Sequence, residues 1–292
     1  MRPARFEYLA PSSAEEAIEQ LARFAGDGRL LAGGQSLIPL MNLRLARPVA
    51  LIDLGRCAEL TYIERSGDWL AIGPMTRQTE VENSALVKEC CPLLAKAMRY
   101  VGHPTIRNRG TLGGTLAHAD RVAELPGVAL ALGAIMTAQG PRGSRMIAAA
   151  EFFVGDLATA LEFDEMLREV RFPVSPANSA SAFVEASNRH HDLATVGVAA
   201  SLEFGPARQC RAASLAVVGV APTPLRLAAA ESRLRAGLFD SVAIAEASAL
   251  AVKEVSVEGD FHASASYRQR ALGGLLERAL HECRAQTEDI AG

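Results

Sequence analysis

Aromatic residues are scarce in this chain of 292 residues: one Trp, four Tyr and ten Phe, 5% of the total. The formal net charge is -3. Together these exclude the basic, aromatic-studded surface on which nucleic acids are held. The five cysteines, Cys57, Cys90, Cys91, Cys210 and Cys283, form an odd set without regular spacing. No C-x4-C-x2-C run offers thiolates to an iron–sulfur cluster, and no zinc spacing occurs. Reduced thiols in a cytoplasmic protein are expected, with the adjacent Cys90 and Cys91 buried. The N-terminus, MRPARFEYLAPSS, lacks the apolar core of a secretory signal. The apolar run LPGVALALGAIMTA (125–138) is too short and too broken by glycine to span a bilayer, so no integral membrane segment is expected. Neither a Walker loop nor the dinucleotide fingerprint G-x-G-x-x-G is present.

What the sequence does have is core-forming material. Hydrophobic residues make up 49% and charged residues 22%, a globular composition with length for two or three domains. Ser13 and Glu16 have the spacing of a capping box ahead of Ala17, Ile18, Leu21 and Phe24, which predicts an amphipathic helix. Buried strands follow at Leu30–Ala32 and at 49–55. Hairpins are expected over 60–73, with the turn at Ser66-Gly67-Asp68, and over 134–149, with further hairpin signals at 165–174. Residues 76–101 read as helical, broken near Ser84 or Pro92. The stretch VSPANSAS (174–181) has the small, polar composition of a linker. Beyond it come three β-like runs, SAFVEAS, LATVGVAASLEF and CRAASLAVVGVAP, and then helices from Ala228 onward, the last over about 266–285.

Two glycine-rich segments stand out. In LLAGGQSLIPLMNLRLARP, from residue 30, an apolar strand stops on Gly33-Gly34. Leu37, Ile38, Leu40, Met41, Leu43 and Leu45 then have the spacing of a buried helical face. The second segment is RNRGTLGGTLAHAD (107–120). A Gly pair can be an ordinary turn. It can equally let a phosphate approach the backbone at a helix start. Two such segments in one domain suit a diphosphate, each handing N–H donors to one side, with hydroxyls from Ser36 and Thr111. Arg107 and Arg109 flank the second segment, where they could orient it or meet a partner chain. The His190-His191 pair has no third residue spaced to join it in a metal site, and His103 and His118 are expected to be structural.

These segments, LAGGQSLIPLMNLRLARPVALIDL and RNRGTLGGTLAHADRVAELP, resemble the two flavin loops of the FAD-binding medium subunits of molybdenum hydroxylases. That family includes the medium subunit of carbon-monoxide-dehydrogenase-type enzymes and the FAD domain of xanthine dehydrogenase. IGPMTR, CPLLAKA and HASASYRQR fall in the family's order, so the resemblance covers nearly the whole chain. It implies an α+β protein with a p-cresol-methylhydroxylase-type FAD-binding fold. Two α/β subdomains (about 1–56 and 57–176) would form an FAD-binding domain over 1–176, and a C-terminal domain of antiparallel strands and helices would span 177–292.

The resemblance also implies non-covalent FAD held by Ala32, Gly33, Gly34, Gln35 and Ser36 of the first loop. Thr111, Leu112, Gly113, Gly114 and Thr115 of the second would join them. Val101, Asp120, Glu124, Leu161, Met166 and Asp192 would complete the site, with Glu124 reaching the ribityl or ring region. Its further implication is an electron-transfer subunit with no catalytic residue or metal of its own. Molybdopterin would sit in a large partner subunit and [2Fe–2S] clusters in a small one, assembled as a dimer of heterotrimers. Contacts with these are expected around Arg107–Arg109 and His190–Leu193. A stand-alone flavin oxidase or a non-enzymatic nucleotide-binding scaffold are the alternatives. The chain departs from the family pattern in three places. Arg121 and Val122 follow Asp120 where a proline is usual. Leu193 stands where an aromatic or branched residue is frequent. Val184 and Glu185 stand where some relatives carry a lysine.

Overall fold

The structure, a computed structural model, describes residues 2–189, 192–206 and 209–290. The N-terminal unit alternates strand and helix: β1 (Glu7–Leu9), α1 (Ala14–Arg23), β2 (Gly28–Leu31), α2 (Leu37–Asn42) and β3 (Ala50–Asp53). Its three strands are parallel in the order β1-β3-β2. Helix α1 begins where the capping signal lies, with the Ser13 hydroxyl accepting from the Glu16 N–H. The Glu16 carboxylate reaches back to the N–H of Ser12, one residue before the cap. Ala14, Ala17, Ile18 and Leu21 bury the apolar face of α1 against Ile52 and Leu54.

The second unit holds β4 (Ile63–Ser66), β5 (Trp69–Ile72), α3 (Gln78–Asn83), α4 (Ala85–Cys90), α5 (Pro92–Ala97), α6 (Pro104–Arg107), α7 (Leu112–His118) and α8 (Glu124–Leu132). It continues with β6 (Ile135–Gly140), β7 (Gly143–Ala148), α9 (Ala149–Phe152), β8 (Phe153–Gly155), β9 (Ala158–Thr159) and β10 (Met166–Pro173). Five of its strands form an antiparallel sheet in the order β4-β5-β10-β6-β7. Both expected hairpins form, the first turning through Gly67 at φ 59°. The 165–174 segment is no hairpin: it is the single strand β10, wedged between β5 and β6. The helical stretch breaks at both expected points, Ser84 capping α4 and Pro92 opening α5.

The third unit is the four-stranded antiparallel sheet β11 (Ser179–Ser187), β12 (Ala194–Phe204), β13 (Cys210–Val218) and β14 (Leu225–Arg226), followed by α10 (Ala228–Arg235), α11 (Ser241–Glu254) and α12 (Ala265–Ile290). Strict alternation splits its two faces. Val184, Val196, Val198, Leu215 and Val217 join a core with the three helices. Phe183, Ala199 and Ala216 face the other way, into the core of the second unit. Lys96 on α5 fastens this seam, donating to the Ser181 carbonyl (2.6 Å) and to Gln286 Oε1 (2.9 Å).

One expected feature fails. The run from Leu37 to Leu45 is not one buried helical face. Helix α2 stops at Asn42, Arg44 takes φ 60°, and Leu43 and Leu45 are left exposed; only Met41 of the run is buried. All five cysteines are free and buried, as their context suggested for Cys90 and Cys91. Burial pushes the Cys91 and Cys283 thiols up to about 12, so they remain unreactive thiols at neutral pH. Among the described residues no helix is long and apolar enough to cross a membrane, and no cluster of three or more His, Cys, Asp or Glu could hold a metal. His190 and His191 lie outside the described residues.

Candidate functional site

The first glycine loop runs from the C-terminal end of β2 to the start of α2. Gly34 adopts φ 74°, a conformation that disfavours a side chain. Ser36 caps α2 without a side-chain bond to the helix. Among the described residues none accepts a hydrogen bond from the backbone N–H of Gly33, Gly34, Gln35, Ser36 or Leu37. Five consecutive N–H groups without an internal partner among the described residues leave donors available to an anion. Beside them opens a cavity of about 470 Å³, lined by Ala32, Gly33, Gly34, Gln35, Asn42, Asp53, Arg77 and Arg109 among others.

The second glycine segment is built differently from the expectation. Residues 112–118 are helix α7, and Thr111 is its N-cap, 1% exposed, accepting from the Gly114 N–H at 3.0 Å. The Leu112 N–H donates to the Thr76 carbonyl and that of Gly113 to the Pro74 carbonyl. A bridge between Arg77 and Thr111 completes the attachment. Three of its N–H groups are thus engaged inside the fold, so the two segments do not supply backbone donors alike. Leu112, Gly113 and Leu116 point into the core, and Gly113 lacks a side chain because Pro74 occupies that space.

The two segments nevertheless meet. A β-carbon on Gly33 would overlap the Arg109 carbonyl and come within 2.8 Å of the Gly110 α-carbon. One on Gly114 would lie 2.7 Å from Thr111 Oγ1 and 3.4 Å from the Ala32 β-carbon. The contact is pinned by Arg77, whose guanidinium donates to the Arg109 carbonyl. Thr115 accepts from Gln78 Nε2 at 2.8 Å.

Arg107 is held within the fold. It is 6% exposed, pairs its Nε and Nη2 with the two Glu82 carboxylate oxygens (2.8 and 3.2 Å) and donates from Nη1 to the carbonyls of Val101 and Gly102. It thereby fixes the turn that leads into the second segment. Arg109, by contrast, lines the cavity.

The remaining candidates lie as follows. The Val101 and Met166 side chains are buried in the cores, and Leu161 packs against the second unit's core. Asp120 closes a local turn by accepting from the Val122 N–H. Asp192 is exposed in the β11–β12 connection. Glu124, at the first position of α8, is 4% exposed, and burial first, then Asp120, pushes its carboxyl up to about 7. Glu185 is pushed up to about 8 by burial and by Glu124, and its Oε2 is buried without a partner. The Nε and Nη2 atoms of Arg121 are likewise buried without hydrogen bonds, Nη2 standing 3.9 Å from Glu258. Asp53, Arg77 and Asn42 carry no sequence signal; only the packing of α2 and β3 against the second unit brings them to the cavity.

The FAD-binding domain of molybdopterin dehydrogenases matches residues 4–175, and the C-terminal domain of the carbon monoxide dehydrogenase flavoprotein matches residues 181–283. The chain is 38% identical over 294 residues to the 6-hydroxypseudooxynicotine dehydrogenase complex subunit alpha of Paenarthrobacter nicotinovorans, covering 99% of both chains. It is 36% identical over 281 residues to the carbon monoxide dehydrogenase medium chain of Hydrogenophaga pseudoflava, covering 96% of this chain and 98% of that one. A solved structure of the Hydrogenophaga pseudoflava carbon monoxide dehydrogenase superimposes with a TM-score of 0.94 at 36% identity, covering 98% of this chain and 99% of that one.

Proposed function

Since the chain belongs to the family of FAD-binding flavoprotein subunits of molybdopterin dehydrogenases, an oxidoreductase family, we propose that it is the electron-transfer subunit of a molybdenum hydroxylase complex. Bound FAD would supply the redox chemistry, and the molybdopterin and [2Fe–2S] groups that would exchange electrons with it would lie in a large and a small partner subunit, with an external acceptor as the outlet.

The observation that carries the reading is the run of five unpartnered N–H groups from Gly33 to Leu37 beside an open cavity. A diphosphate is the ligand that satisfies such a run without a lysine. Ala32, Gly33, Gly34, Gln35 and Ser36 hold it directly. Thr111, Leu112, Gly113, Gly114 and Thr115 form the wall against which that loop is set, with the Thr111 and Thr115 hydroxyls as polar contacts. Val101, Leu161 and Met166 line the apolar side, the last two through backbone. Asp120, Glu124 and Asp192 are assigned to the ribityl and ring end. The unpartnered atoms of Arg121 and Glu185 fit a cleft that receives a polar ligand.

The domain division that goes with this reading is 1–176 for FAD, with subdomains 1–56 and 57–176, and 177–292 for the C-terminal domain. The exposed Tyr8, Leu43, Leu45 and Val49 supply apolar surface for partner subunits. A dimer of heterotrimers in the cytoplasm is the assembly expected. Native purification from the source cell, with mass spectrometry and metal analysis, tests it. Molybdenum, iron and two companion chains are expected. An active homomer free of both metals overturns the assignment in favour of a stand-alone flavin oxidase.

A further inference from the structure

Arg77 is tied to both glycine segments. Its backbone is the N-cap of α3 and bridges to Thr111. On either side, the Gln78 N–H donates to the Gly110 carbonyl at 2.9 Å and the Leu112 N–H to the Thr76 carbonyl at 3.0 Å. Its side chain then reaches the first segment. Nη1 donates to the Arg109 carbonyl, the same oxygen that a β-carbon on Gly33 would overlap. A single carbonyl thus stands between the guanidinium and Gly33, where the run of unpartnered N–H groups begins. Arg77 lines the same cavity as Gly33, Gly34 and Gln35.

The charge of Arg77 is not answered inside the fold. The Arg109 carbonyl is a neutral acceptor, and among the described residues no carboxylate pairs with the guanidinium. Glu80 turns its carboxylate to the Arg77 backbone N–H at 2.9 Å. Asp53, the acid among the cavity's lining residues, already takes the Tyr8 hydroxyl (2.6 Å) and the Gly55 N–H (2.9 Å). Arg109 adds a second cation to the lining. A guanidinium presents its donors in a fixed fork that matches phosphate oxygens, and the bond to the Arg109 carbonyl holds this fork in place beforehand.

We propose that Arg77 is a further FAD-binding residue: its guanidinium donates to the diphosphate at the Gly33–Leu37 donor run and supplies the positive charge that backbone N–H groups lack. This rests on the FAD reading above and names the cation of that same site. Because the fork is fixed through the Arg109 carbonyl, the contact between the two glycine segments and the grip on the diphosphate depend on one side chain.

The test uses the full-length protein freed of flavin. FAD and inorganic pyrophosphate are titrated by calorimetry at low and high ionic strength, and riboflavin, which has no phosphate, by fluorescence. In the wild type, pyrophosphate should bind and compete with FAD, and both affinities should fall with salt. Arg77→Gln should retain its circular dichroism spectrum, lose about tenfold or more in FAD and pyrophosphate affinity, show a weaker salt dependence and keep its riboflavin affinity. Arg77→Lys keeps the charge and should recover part of the loss. Phenylglyoxal labelling of the wild type, mapped by mass spectrometry, needs no variant: pyrophosphate should protect Arg77. Unchanged FAD affinity in Arg77→Gln, an equal loss of riboflavin, or Arg77 labelled alike with and without pyrophosphate overturns the diphosphate role, while FAD binding by the wild type leaves the FAD reading standing. A wild type that binds pyrophosphate but not FAD removes the FAD reading, and this assignment with it.

Discussion

Gly33 rests directly on the backbone of Arg109, with no space between them for a β-carbon. The two glycine-bearing segments are therefore a single packed unit, and the donor run from Gly33 to Leu37 owes its placement to the second segment.

Gly33→Ala tests that relationship. The added methyl must push the Arg109–Gly110 backbone away, an overpacking cost of about 1–3 kcal/mol. Much of the fold should survive, because the contact lies at the cavity rim and not in a core. The flavin-to-protein ratio after purification should drop several-fold while the circular dichroism spectrum is retained. Undiminished flavin content would show that the loop contact does not shape the binding site.

Bound FAD should be non-covalent and near one per chain. Acid precipitation should leave a colourless pellet beneath a yellow supernatant. A yellow pellet after washing would contradict this and point to a covalent tether.

Arg107→Ala should destabilise the protein strongly. It strands Glu82, which is three-quarters buried, and leaves the Val101 and Gly102 carbonyls without their donor. Breaking a buried pair from one side costs about 3–5 kcal/mol. A fall in Tm of many degrees is expected, with FAD lost as a consequence. Arg107→Lys should recover only part of it, since an ammonium cannot span both Glu82 oxygens and both carbonyls. A variant as stable as the wild type would mean that Arg107 serves a partner surface instead.

Stability should fall as pH rises through neutrality. Glu124 is raised from 4.5 to about 7, first by burial, and Glu185 from 4.5 to about 8, also first by burial. The folded state therefore binds more protons than the unfolded chain in that window. The contribution is fully present below about 4.5 and is lost as pH climbs through 7 to 8. For Glu124, nearly fully buried, it is on the order of 3 kcal/mol. Tm measured from pH 5 upward should decline, and Glu124→Gln should flatten the decline. A Tm that rises with pH through this window would refute the linkage.

The amino-acid sequence by itself determines the local features. Ser13 announces α1 because a cap is decided within four residues. Gly67 marks a hairpin because its φ is set locally, and Ser84 and Pro92 interrupt a helical run for the same reason. The odd, unpatterned cysteines offer no spacing for an iron–sulfur cluster. The tertiary structure decides what depends on neighbours distant in the chain. Residues 165–174 look like half of a hairpin until β5 and β6 flank them. Leu43 and Leu45 carry helical spacing, yet a turn at Arg44 leaves them in solvent. Gly33 and Gly113 read alike as phosphate-facing glycines, but each is small because backbone or proline from elsewhere fills the space. Arg107 flanks the second segment, and only the fold brings Glu82 to pair with it. A residue and its near neighbours carry their own conformational preferences; burial, pairing and the environment of a charge are set by chain segments that only folding brings together.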